Sequence, residues 1–245
     1  MKILTYIQTG SINGGNTFPG VARPLGIVKL GPDLYTGTDA YSGYLPTGNF
    51  TGFTMLHESG TGGAPKYGVV SQMPVVGSLD NPLSDAINDT RASKDFTEVG
   101  YYRASLGSGT VLEMAATNKA GLYKYEFPKQ NASRHVLVDV SHVLSSYRGQ
   151  GLEQHFLGGN ISVSQDDDEN FYYTGFGTYD NVSEIVAKTH IYGDIDWLKG
   201  LEPSCPLDRL LLRIFRFPVH LQDVPGPGLR YGRTGRILRR AILRV

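Results

Sequence analysis

The sequence predicts an all-β chain built as a large antiparallel sandwich, and three observations carry the prediction. From Thr97 onward, short runs of alternating apolar and polar residues follow one another, divided by glycine and polar turns. Glycine (31) and tyrosine (15) are plentiful, while charged residues, at 19%, fall below the usual share of about a quarter. No amphipathic helix of useful length precedes residue 200.

The elements follow in order. Residues 3–8 read as a short strand, and residues 25–30 and 52–57 as strands leaving two glycine-rich blocks, 14–33 and 52–63. Tyr67–Val76 is another strand, with Pro74 near its end. Residues 78–96 are polar and carry Asn81-Pro82, which reads as a long loop with room for a helical turn. Thr97–Ser105 and Thr110–Thr117 flank Leu106-Gly107-Ser108-Gly109, a hairpin signal. Leu122–Phe127 follows, then Arg134–Ser141, where Val136, Val138 and Val140 share a face by the two-residue period. Phe156–Ser164, Phe171–Thr178 and Glu184–Tyr192 continue the series, at a spacing that implies a sandwich.

The 245 residues suffice for one large domain or two small ones, and 40% apolar content supports a real core. No apolar run is long enough to span a bilayer as a helix, so no membrane partner is expected. The single cysteine, Cys205, excludes an intrachain disulfide and a cysteine-based zinc site. Five sequons end in Ser or Thr, at Asn49, Asn88, Asn131, Asn160 and Asn181, more than chance supplies, and they point to N-glycosylation in a secretory pathway. Met1-Lys2-Ile3-Leu4 lacks the apolar core of a signal peptide. The sequence favours a missing start over an intracellular home.

The net charge of zero hides an asymmetry. Residues 1–200 hold nine Lys and five Arg against 20 acidic residues, whereas residues 201–245 hold nine Arg, no Lys and three acidic residues. After Trp197 the chain turns rich in Arg, Leu and Pro, and strand periodicity is expected to end. Residues 1–200 are therefore read as the β-sandwich domain and 201–245 as a basic tail outside the native fold, of the kind a mis-spliced or frame-shifted segment would give. A basic arm for nucleic acid is disfavoured, because such arms mix Lys with Arg and avoid so many large apolar residues.

Few residues suggest chemistry on their own. His57-Glu58 lies beside a glycine-rich turn, where a histidine can donate to a sugar hydroxyl, hold a carboxylate or bind metal. Asp166-Asp167-Asp168-Glu169 could hold a cation, although such runs are mostly solvated turns. Asp139 and His142 stand near a strand end without a nucleophile. Asp194 and Asp196 could pair for glycoside hydrolysis, but a surface turn explains them as well. Ser59 does not lie in a nucleophile elbow, so a serine hydrolase is unsupported.

The glycine-rich blocks carry a resemblance. Gly15-Asn16-Thr17-Phe18-Pro19-Gly20, Pro24-Leu25-Gly26 and Pro32-Asp33 resemble the N-terminal signature of glycoside hydrolase family 92, the calcium-dependent exo-acting α-mannosidases. Ser42-Gly43-Tyr44, Gly52-Phe53, His57 and Ser59-Gly60-Thr61-Gly62 follow in the family's order. The resemblance covers roughly residues 4–200. It implies a β-sandwich whose partner, an (α/α)₆ barrel carrying the catalytic acid, the base and most calcium ligands, is missing here. No catalytic residue is therefore expected in this chain, and calcium is expected only in the full-length parent. The resemblance places Asn16, Tyr41, His57 and Ser59 on one wall of a sugar pocket. Asn16 stands where the family often has His, and Tyr41 is the local substitute for a Trp-rich segment. The implied function is the pocket-forming N-terminal portion of a secreted α-mannosidase acting on α-mannoside glycans, inactive alone. The alternative is a stand-alone carbohydrate-binding β-sandwich.

Overall fold

The computed structural model describes residues 19–26, 28–35, 44, 46–57, 71–81, 87–129, 132–143, 155–165, 171–180, 186–197, 209–215, 219–222 and 240–244. Every regular element among them is a β-strand, and every strand pairing is antiparallel. The all-β expectation holds. In chain order the strands are β1 (Val21–Ala22), β2 (Lys29–Tyr35), β3 (Asn49–Thr54), β4 (Ser71–Val76), β5 (Phe96–Glu98), β6 (Tyr101–Ser105), β7 (Val111–Ala116) and β8 (Ala120–Glu126). They continue as β9 (Arg134–Asp139), β10 (His155–Gln165), β11 (Phe171–Asp180), β12 (Val186–Trp197), β13 (Arg209–Phe215), β14 (Val219–Gln222) and β15 (Arg240–Arg244). One sheet has the order β1-β2-β3-β4-β9-β15, the other β10-β11-β12-β13-β8-β7-β6-β5, with β14 alongside β12.

The two-residue period decides what is buried. In β8, Tyr123 and Tyr125 turn into the core while Leu122 and Lys124 lie on the more open face. In β7 the buried pair is Leu112 and Met114, and in β6 it is Tyr102 and Ala104. Opposite them the first sheet contributes Leu30, Phe50, Phe53, Met73, Val136 and Val138. β9, an interior strand between β4 and β15, is buried on both faces from Val136 onward, with Leu137 and Asp139 as well as the valines. Polar bonds also join the sheets. Tyr125 donates to Gln72 Oε1 at 2.8 Å and Gln72 Nε2 donates to Tyr173 at 2.9 Å, all within the core.

Several boundaries differ from the sequence reading, and the strand expected at Glu184–Tyr192 runs from Val186 to Trp197. Thr97–Ser105 is not one strand but the hairpin of β5 and β6, closed by Val99-Gly100 with Glu98 opposite Tyr101. Gly100 has φ +80°, a conformation that glycine takes without the Cβ penalty. The strand expected at 25–30 begins only at Lys29, because Leu25 sits in a turn with φ 61°, and it runs on through Pro32 to Tyr35. The strand expected at 52–57 begins at Asn49 and ends at Thr54. The expected hairpin at Leu106–Gly109 is present, with Ser105 opposite Val111. The strand expected at 3–8 lies outside the described residues.

Strand structure does not stop at residue 200. β13 lies between β12 and β8, with Leu210, Leu212 and Ile214 opposite Tyr125, Tyr123 and Gly121. β15 borders β9, with Ala241 opposite Val138. The alternation at 210, 212 and 214 is hidden in the sequence by Leu211, which makes the segment read as one apolar run.

Candidate functional site

A buried polar cluster forms where the two glycine-rich blocks meet. Asp33 lies on β2, opposite Gly52 of β3, and Thr54 ends β3 opposite Gly31. Past β3 the chain stays alongside β2, Lys29 N donating to Met55 O at 2.8 Å, and this sets His57 beside the start of β2. The third contributor, His142, comes from the segment after β9, 109 residues from Asp33.

The carboxylate of Asp33 organises the cluster. Thr54 Oγ1 donates to Oδ2 at 2.9 Å, and His142 Nε2 lies 2.8 Å from the same oxygen. His57 Nε2 is 2.7 Å from Oδ1 and 3.1 Å from Thr54 Oγ1, while its Nδ1 is 3.0 Å from the carbonyl oxygen of Lys29. Asp33 and His57 are 1% and 3% exposed, so these groups have exchanged water for each other. Burial alone would raise the Asp33 pKa. The charge of His57 and hydrogen bonds from His142 and His57 outweigh it and hold the carboxyl at about 2, against an ordinary 3.8. Each ring nitrogen of His57 thus faces an oxygen, Nε2 the Asp33 carboxylate and Nδ1 the Lys29 carbonyl. Gly52 leaves room for Ser71 of β4: a Cβ there would lie 2.0 Å from Ser71 Oγ, whereas His142 Cε1, at 3.5 Å, would be in ordinary contact.

A second buried carboxylate, Asp95, pairs with Arg91. Its Oδ2 accepts from Tyr44 at 2.8 Å and from Tyr102 at 2.7 Å. The Arg91 guanidinium lies 4.5 Å from the Phe50 ring centroid and 5.4 Å from that of Tyr44.

Of the residues expected on a sugar wall, His57 lies in the Asp33 cluster, buried and engaged. Asn16, Tyr41 and Ser59 fall outside the described residues. Asn49, Asn88 and Asn160 are described, while Asn131 and Asn181 are not. Asp139 is buried and accepts from Ser141 N and Oγ at 2.8 and 2.6 Å in a local turn. Asp194 and Asp196 lie on β12, and residues 166–169 fall outside the described set. Sequence reasoning missed the joint role of Asp33, Thr54 and His142. The Pro32-Asp33 step was visible as part of the signature, but no spacing in the chain links it to His142.

Calcium takes carboxylate and carbonyl oxygens in sets of six to eight. Among the described residues no group of three or more His, Cys, Asp or Glu side chains is placed to hold a metal. Both Asp33 oxygens face histidine nitrogens, and Thr54 donates to one of them, so this cluster does not suit a cation.

Residues 5–198 match the glycosyl hydrolase family 92 N-terminal domain. An uncharacterized secreted glycosidase of Arthroderma benhamiae is 32% identical over 169 residues, covering 61% of this chain and 21% of that protein. Among solved structures, a family 92 α-mannosidase from Bacteroides thetaiotaomicron aligns with a TM-score of 0.61 at 20% identity, covering 85% of this chain and 30% of that one. The same enzyme in complex with mannoimidazole aligns with a TM-score of 0.60 at 19% identity. A further family 92 glycosyl hydrolase gives a TM-score of 0.61 at 17% identity, covering 85% of this chain and 29% of its own. The chain thus spans less than a third of the relatives it matches.

Proposed function

The chain belongs to glycoside hydrolase family 92, as its N-terminal domain, and from that premise we propose that it forms one wall of the α-mannoside pocket of a longer α-mannosidase. The observation that carries the reading is the Asp33 cluster. It ties together, in a buried network, the two sequence blocks that carry the family signature, and His57 stands two residues before Ser59 in the chain. In this reading Asn16, Tyr41 and Ser59 meet the sugar, and His57 is a positioning residue that anchors the backbone beneath them.

The wall does not catalyse by itself. Inverting glycoside hydrolysis needs an acid for the leaving oxygen and a base for water, about 6.5–9.5 Å apart. By resemblance both belong to the (α/α)₆ domain, together with calcium. Without that domain the sugar is not held, and positioning alone can be worth about 7–11 kcal/mol of barrier. The parent is taken to be secreted, which the five sequons and the name of the Arthroderma relative support. Neither nucleic acid nor a membrane enters the reading.

The unit assigned to this role is residues 1–200, since the family match ends at 198. Limited proteolysis tests the boundary: a protected fragment that retains the last 40 residues would assign the tail to the folded unit.

The functional test is an assay of the purified chain on an activated α-mannoside, with calcium and with chelator. No turnover is expected in either. Fusing residues 1–198 to the remaining domains of the Arthroderma relative is expected to give hydrolysis, which Asp33→Ala abolishes by loosening the wall. Calcium-dependent turnover by the chain alone, lost in His57→Ala, would overturn the reading.

A further inference from the structure

Leu25 stands where a leucine gains nothing from its own domain. Val21 pairs with Leu30 and Ala22 with Lys29, so Arg23-Pro24-Leu25-Gly26 lies at the tip of the hairpin between β1 and β2. Gly26 N donates to Arg23 O at 2.9 Å, which closes a tight turn. The Pro24 ring fixes its φ at about −65°, and Leu25 has φ 61°, the signs of a type II turn, whose third position favours Gly or Asn. Leu25 is the one non-glycine residue with positive φ among the described residues. It is also 103% exposed, more open than any other large apolar side chain described. A leucine here is costly twice, in backbone strain and in apolar surface left in water. The tip is nevertheless braced. Gly26 sits against the β7–β8 turn, where a Cβ added to it would stand 3.5 Å from Asn118 Cα. That turn is tied in its own right, Thr117 N donating to Ala120 O at 2.8 Å and Ala120 N to Thr117 Oγ1 at 3.0 Å. Arg23 and Lys119, both exposed, stand next to the contact between the two turns, and no ion pair holds either of them among the described residues.

We propose that Leu25 is a docking knob for the remaining domains of the parent α-mannosidase, seated there in an apolar pocket with an acidic rim. The inference rests on the function proposed above and adds the contact that holds the wall to its partner. Position argues for that occupant. Lys29, at the base of the hairpin, donates from N to Met55 O at 2.8 Å, and its carbonyl oxygen lies 3.0 Å from His57 Nδ1. The tip therefore leaves β2 at the end beside His57, which stands two residues before Ser59 in the chain. A wall that closes a sugar pocket meets the opposite wall along such an edge. The chain spans less than a third of the relatives it matches, which leaves the rest of the parent to supply the facing surface. In a pocket Leu25 recovers the apolar burial that it lacks in the open, and this offsets the strain of its turn. Arg23 and Lys119 then meet carboxylates at the rim, which sets the register of the contact.

The test compares the full chain alone with the fusion to the remaining domains of the Arthroderma relative. Hydroxyl-radical footprinting reads the side chain directly: Leu25 is expected to oxidise freely in the full chain and several-fold more slowly in the fusion. A protease site at the junction lets the fusion fold whole and then be cut, which gives a dissociation constant between its halves. Leu25→Asn is expected to weaken it by about 10- to 100-fold, the worth of burying one leucine side chain. Leu25→Met, which keeps the apolar bulk, is expected to weaken it by less than about tenfold. In the full chain alone, Leu25→Asn is expected to leave the urea midpoint unchanged or raised, because Asn suits the left-handed turn. Slow oxidation of Leu25 in the full chain, or a midpoint lowered by Leu25→Asn, would show that Leu25 packs within its own domain and would sink the proposal whether or not the fusion folds. Protection that grows with the concentration of the full chain would sink it too, by assigning the knob to a second copy. An active fusion in which Leu25 stays open, or in which Leu25→Asn leaves the dissociation constant unchanged, defeats this inference alone, whereas a folded fusion without activity counts against the function proposed above.

Discussion

Asp33 and Asp95 are both buried carboxylates of one sandwich, yet they are held by different chemistry. Asp95 faces Arg91, whose planar cation lies beside two aromatic rings and keeps its charge throughout the working pH range. Burial tends to lower the Arg91 pKa, but the Asp95 charge and hydrogen bond raise it. Asp33 instead faces two histidine rings and a threonine hydroxyl. The first cluster is therefore a fixed strut, and the second a joint that lasts while the Asp33 carboxylate stays ionised. The joint is the one that sits in the family signature.

The largest effect expected is from emptying either cluster. Asp33→Ala strands two histidines and Asp95→Ala strands Arg91, and each is expected to cost about 3–5 kcal/mol by urea denaturation. A cost below about 1 kcal/mol at Asp95 would class it with surface pairs and break the comparison.

Acid should separate the two next. The Asp33 pKa is depressed on folding, so its contribution is complete above the unfolded value of 3.8 and is lost as pH falls through about 2. The shift is worth about 2 kcal/mol. Unfolding free energy measured between pH 5 and 2 should show this loss in the parent chain and lack it in Asp33→Asn. The same slope in both would show that Asp33 is not the titrating joint.

A smaller effect tests the strut. Arg91→Lys keeps a cation but loses the flat guanidinium near Phe50 and Tyr44, and is expected to cost about 1 kcal/mol in the same assay. No change would mean that charge alone matters there.

The smallest concerns Tyr123, whose hydroxyl is buried and lacks a hydrogen-bond partner among the described residues. Burial, then Tyr125, Tyr173 and Asp33, push its pKa well above the usual tyrosine range. Tyr123→Phe removes an unsatisfied group and is expected to be neutral or to stabilise by up to about 1 kcal/mol. A loss above that would reveal a partner for the hydroxyl.

The sequence by itself determined whatever depends on near neighbours. The alternation in Leu122–Phe127 and Arg134–Ser141 announced strands, because a pleated chain turns successive side chains to opposite faces. Leu106-Gly107-Ser108-Gly109 announced its hairpin, and the spaced Gly and Pro of residues 14–33 carried the family resemblance. Tertiary structure alone decided the rest. Whether Val99-Gly100 turns or continues depends on what Phe96 and Tyr101 can pair with. A hydrogen-bonded histidine was the default for His57 in the sequence, but its partner, Asp33 at 2.7 Å, could not be named until β2 and β3 paired. His142 reaches that carboxylate across 109 residues, and Asn49 reaches Asn88 across 39, since strand order rather than spacing makes them neighbours. A two-residue period says which face a side chain takes, but the element that covers that face is chosen only when the sheets assemble.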